Sequence, residues 1–242
     1  MESTLHSYSP DMPRSIFLIS RDLYNMFKNV TVIVNHAGFP SSIVKSVSEA
    51  NKSFQDALWQ RDDVASGICA ALEDRLVTRS FHESPSRRND WLALAKSLKQ
   101  YQSKSQALTI HLRSLGDSIA TVRAEIAQRL TTAREANQRA PRGLRHLKRT
   151  LIHISQHTSG AKQRRDQLSD QRETMDVLLN IESGLMALLP SISILERTCA
   201  ELCIQVSQIL DAPNATSHES VELLLYSTMQ ELQLALGIST IT

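Results

Sequence analysis

Apolar side chains return at alternating steps of three and four over two stretches of this chain, so each stretch is predicted to be a long helix with one buried seam. The first seam passes through Trp91, Leu94, Leu98, Tyr101, Ser105, Leu108, Leu112, Leu115, Ile119, Val122 and Ile126, with Ser105 alone polar. The second passes through Leu178, Ile181, Leu185, Leu188, Ile192, Leu195, Cys199, Leu202, Val206 and Ile209, with no polar member. In a chain that is 41% apolar, chance would fill fewer than half of these positions. The flanks widen the faces. Ala95, Ser97, Gln102, Thr109, Gly116 and Ser118 sit beside the first seam, and Val177, Leu189, Cys203 and Leu210 beside the second, where a two-stranded coiled coil favours charge. Broad apolar or small faces predict helices with several neighbours each.

The same reading extends along the chain. Ile16, Ile19, Leu23, Met26, Val30, Ile33 and Ala37 predict a first helix over about 13–37, stopped by Gly38 and Pro40. Val44, Val47, Phe54, Leu58, Ala65, Ile68, Leu72 and Leu76 predict a second over about 42–79. The third is expected over about 86–139, ending at a turn containing Pro141 and Gly143. A fourth, over about 143–211, carries Pro190 inside its best heptads and is expected to kink or break there, because proline removes an intrahelical hydrogen bond and crowds the preceding turn. A fifth, over about 217–236, uses Val221, Leu225, Thr228, Leu232 and Leu236, with Thr216 and Glu219 spaced as a capping box. The expected fold is all-α: a single elongated helical-bundle domain over residues 1–242, built on a long antiparallel hairpin of the third and fourth helices with coiled-coil-like heptads. Seven Gly, seven Pro and 5% aromatic residues argue against a turn-rich β protein.

Charge changes the picture. The net +2 conceals twelve Lys or Arg against four Asp or Glu in residues 123–172, and one Arg (Arg197) against nine acids in residues 173–242. The two segments thus balance at +8 and −8. Arg134, Arg139, Arg142, Arg145, Lys148 and Arg149 gather around the predicted hairpin turn, with Arg142, Arg145 and Arg149 on the side opposite Leu144, Leu147 and Leu151. These six are the candidate binding residues for an anionic partner. Nucleic acid is disfavoured, because residues 123–172 contain no Phe, Tyr or Trp to stack on bases. Anionic membrane lipids or an acidic protein need no such platform.

Catalytic signatures are missing: no glycine-rich phosphate loop, paired-cysteine zinc pattern, H-E-x-x-H or G-x-S-x-G. Cys199 and Cys203 share a helix face, but Cys199 is a seam position and reads as core. His153 and His157 repeat that spacing, with His146 two turns earlier, yet no carboxylate between Glu135 and Asp166 completes a metal site. No catalytic residue, cofactor or metal is therefore expected. Three cysteines and a start lacking an apolar leader pattern predict an intracellular, cytoplasmic protein. Val177–Leu195, charged only at Glu182, is nearly long enough to span a bilayer, although Asn180, three serines and Pro190 favour a core helix.

In outline the chain resembles BAR domains, which are dimeric helical bundles with kinked long helices and basic tips. It also resembles α-helical pore-forming toxins, which hide an apolar segment in an elongated bundle. Both resemblances are architectural, and no functional residue is carried across. The leading expectation is a non-catalytic interaction or scaffold protein that binds partner helices, with a homo-oligomer among the options. The alternative is a membrane-associating bundle that uses its basic tip.

Overall fold

The computed structural model describes residues 12–78, 87–139, 159–211 and 215–236. These form an all-α helical bundle of α1 (Met12–His36), α2 (Ser41–Thr78), α3 (Arg87–Arg139), α4 (Ser159–Asp211) and α5 (Ala215–Leu236). The α1–α2 turn follows from local chemistry. Ala37 N–H donates to Ile33 C=O at 2.8 Å, and Gly38 then takes φ 68°, a left-handed conformation that glycine adopts without a Cβ clash. Pro40 C=O accepts from Val44 N–H at 3.1 Å and opens α2.

The described helices fall into two compact units, each with its own interior. One comprises the described residues up to Asp22, Gln55–Arg113 and those from Ala187 onward. Its core joins Val64, Ile68 and Leu72 of α2, Trp91, Leu94 and Leu98 of α3, Leu195, Cys199, Leu202 and Val206 of α4, and Leu225, Met229 and Leu232 of α5. Lys104 Nζ lies 2.9 Å from Asp63 Oδ2, and Gly67 backs onto Tyr101, so α2 and α3 run antiparallel here. Gln106 Nε2 donates to Glu196 Oε1 at 3.0 Å, and Gln233 Nε2 of α5 to Glu73 Oε1 of α2 at 3.0 Å.

The other unit comprises Leu23–Phe54 and the described part of Ser114–Met186. Phe27 and Phe54 stack with centroids 4.9 Å apart, both fully buried. Val30, Val34, Ile43 and Val47 bury from α1 and α2, Leu115, Ile119, Val122 and Ile126 from α3, and Leu178, Ile181 and Leu185 from α4. Within the first unit Gln106 of α3 meets Glu196 of α4 while Leu112 lies beside Leu188 and Ile192, so α3 and α4 run antiparallel there, as expected.

Every position of the two seams is buried except Tyr101, which is half-buried. Ser105, the one polar member, donates its hydroxyl to Tyr101 C=O at 3.0 Å, so its burial leaves no unmet donor. All the flank positions named above are half-buried except Ser118, as helices with several neighbours require. α4 is helical on both sides of Pro190, which is exposed while Leu188, Ser191 and Ile192 are buried beside it. Two local expectations in α5 need correction. α5 begins at Ala215, so Thr216 lies in its first turn and is not the residue that caps it. In α5 the buried position is Met229 rather than its neighbour Thr228, which is half-buried. Residues 143–158, expected to open the fourth helix, lie outside the described residues.

Candidate functional site

Of the six basic candidates, Arg134 and Arg139 sit in the C-terminal part of α3, with side chains outside the described residues. Arg142, Arg145, Lys148 and Arg149 lie outside the described residues altogether, as do His146, His153 and His157.

Two arginines at the edge of the interior are held by partners from their own chain. Arg61, with 13% of its side chain exposed, reaches Ser20 Oγ through Nη1 at 2.8 Å and Asp62 Oδ1 through Nε and Nη2 at 2.9 and 2.8 Å, so it ties α1 to α2. It borders a cleft lined by Ala57, Leu58, Leu112, Leu188, Ser191 and Ile192. That cleft has about 10 Å³ of room, the lower limit for one water, and so holds no substrate-sized molecule. Arg123 Nη2 lies 2.9 Å from Glu182 Oε2, an ion pair about one-third exposed on both sides, while Arg123 Nε has no hydrogen-bond partner. This contact accounts for the one charge in the Val177–Leu195 run: Glu182 stands beside the α3 seam with a cation opposite.

The thiols are shielded. Burial, with Glu73 adding repulsion, pushes Cys69 up to about 11, and burial beside Cys203 pushes Cys199 up to about 12. Burial also raises Cys203, against the opposing pull of Lys99. All three are free, and their environment makes them small core hydrophobes rather than nucleophiles. No group of three or more His, Cys, Asp or Glu side chains capable of holding a metal occurs among the described residues.

The surface carries a different signal. Single exposed apolar side chains such as Trp59 (71%) and Ile110 (67%) are ordinary features of a folded surface. α5 is not ordinary. Its inner face buries Leu225, Met229 and Leu232, yet Leu223 (66%), Tyr226 (48%) and Leu224 (39%) are exposed within four residues of one another. A helix apolar on both sides has a second surface to cover. The spacing through Val221, Leu225, Thr228, Leu232 and Leu236 marks only the inner stripe of this helix. The run Val221–Leu225, four of whose five members are apolar, was the available signal, since a one-sided helix alternates with polar residues there.

No protein-family model, no curated protein and no solved structure gives a significant match to this chain.

Proposed function

We propose that this is a non-catalytic helical-bundle interaction protein that binds helices of partner proteins, and that the outer face of α5 is its docking surface. The observation that carries this reading is the exposed trio Leu223, Leu224 and Tyr226 on a helix whose opposite side is already packed in the core. The long seams of α3 and α4 are filled from within the chain, so a partner helix has to use an outer position such as this one. Full burial of an exposed Leu or aromatic side chain contributes about 1.5–3 kcal/mol, and covering the parts of these three that remain exposed supplies a share of that for each. Three free thiols suit a reducing compartment, and the cytoplasm is the proposed location. The test is a photo-crosslinking residue at position 223 in cells that make the protein, compared with one at Lys45, an exposed position on α2. Discrete heavier adducts from 223 alone are expected. No adduct from 223 would mean that the face is bare and would remove this reading.

A second reading, association with an anionic membrane, has one observation in its favour. Within α4, Ser169–Asp211 is long and apolar enough to cross a bilayer, with a window of mean hydropathy 1.6. Core helices pass the same test, and this one buries its whole seam. Insertion would expose that seam and strip Glu182 of Arg123, so peripheral attachment through the basic segment is the form this reading takes.

A further inference from the structure

The open face of α5 belongs to the acidic end of the chain, and the same polypeptide contains a complement to it. α5 carries Glu219, Glu222 and Glu231 and no Lys or Arg, with Glu231 exposed alongside Leu223, Leu224 and Tyr226. A ligand suited to such a face is an amphipathic helix with an apolar stripe and basic flanks. Residues 142–154 have that pattern. Leu144, Leu147, Leu151 and Ile154 recur at steps of three and four, Arg142, Arg145, Lys148 and Arg149 stand between and before them, and no acid intervenes from residue 136 to residue 165.

We propose that α5 of one chain docks the basic amphipathic segment 142–154 of a second copy, reciprocally, in a two-fold dimer. The proposal rests on the reading of α5 as a docking face and names its partner. Charge complementarity argues for a second copy: α5 carries three acids and no Lys or Arg, residues 142–154 carry four Lys or Arg and no acid, and a two-fold arrangement satisfies both pairs at once. Opposite charges at the rim set orientation and salt sensitivity, while Leu223, Leu224 and Tyr226 meet the apolar stripe.

Sedimentation equilibrium of the full chain at low and high salt tests this. A dimer that dissociates as salt rises is expected. Arg142→Glu, Arg145→Glu and Arg149→Glu combined should weaken it at least tenfold, and so should Glu219→Lys with Glu231→Lys. An equimolar mixture of the two variants should regain a heterodimer, because one of its contacts is wild-type and the other is charge-swapped. A misfolded variant would not be rescued by mixing, so rescue separates a lost contact from a lost fold. A wild-type chain that is monomeric at low salt overturns the proposal, whether the segment is idle or folded back on its own chain. A dimer indifferent to both variants, or variants that stay apart when mixed, also overturns it. Adducts from position 223 to a different protein, in a chain that is itself monomeric, would leave the docking reading standing and remove self-association alone.

Discussion

Gly184 on α4 meets Leu23 of α1 so closely that an added Cβ would lie 2.6 Å from Leu23 Cδ2 and 3.0 Å from its Cγ. Leu23 is 2% exposed and has nowhere to move, so Gly184→Ala should lose more to overpacking, about 1–3 kcal/mol, than the helix gains from alanine, about 1 kcal/mol. Gly67 is the control. Its added Cβ would strike the far end of the Tyr101 ring, a half-buried side chain that can swing toward solvent, so Gly67→Ala should shift the denaturation midpoint far less. The thiols add a pH dependence with a definite sign. Cys199 is raised to about 12 when folded, so it and its unfolded counterpart are both protonated at neutral pH and contribute nothing differential. Above the ordinary thiol range the unfolded chain ionises first, and stability should fall with rising pH by up to about 1.4 kcal/mol per unit for each such thiol. Cys199→Ser should flatten that decline in urea titrations between neutral and strongly alkaline pH. An unchanged slope would show that Cys199 ionises freely in the fold.

Among the elements, Pro190 shows how position within a helix decides what a residue costs. Proline there withholds the N–H that the Met186 carbonyl would otherwise accept, yet both residues are exposed, so water can satisfy that carbonyl and α4 continues unbroken. Pro190→Ala should therefore stabilise the chain, by about 1–3 kcal/mol, whereas Leu195→Ala five residues later should destabilise it by about 2–5 kcal/mol, the usual cost of removing a fully buried Leu. Chemical denaturation of the two variants checks both signs. The long helices were legible in the sequence because eleven and ten successive positions at three-four spacing constrain the phase tightly, and every position so named is buried or half-buried. α1 and α2 were less so. Neighbouring apolar residues there fit the same three-four spacing, so a frame through Met26, Ile33, Val44 and Leu58 takes the half-buried member of each pair and misses the buried Phe27, Val34, Ile43 and Ala57 beside them. Periodicity locates a stripe only when the opposite face is polar. The outer face of α5 escaped for the same reason, since one apolar cluster served two surfaces and sequence spacing assigned it to the first.

For the molecule as a whole, charge is segregated along the chain far more sharply than the net +2 conveys, and that segregation makes the two functional readings separable. Near an anionic bilayer each basic side chain contributes about 1 kcal/mol, so Arg142, Arg145 and Arg149 together would account for roughly a hundredfold in membrane affinity. The acidic residues 173–242 would be repelled from the same surface, which leaves the basic segment as the point of attachment. If that segment is instead docked on α5 of a second copy, its arginines are taken up by that acidic helix, and binding to vesicles has to compete with the dimer. Sedimentation with phosphatidylserine-containing vesicles at low and physiological salt resolves the competition. Salt-sensitive binding that disappears in the triple Arg→Glu variant, and that weakens as protein concentration drives dimer formation, is expected if both contacts use these side chains. Wild-type chain that ignores such vesicles even at low salt would remove the membrane reading and leave docking between helices as the use of the basic segment.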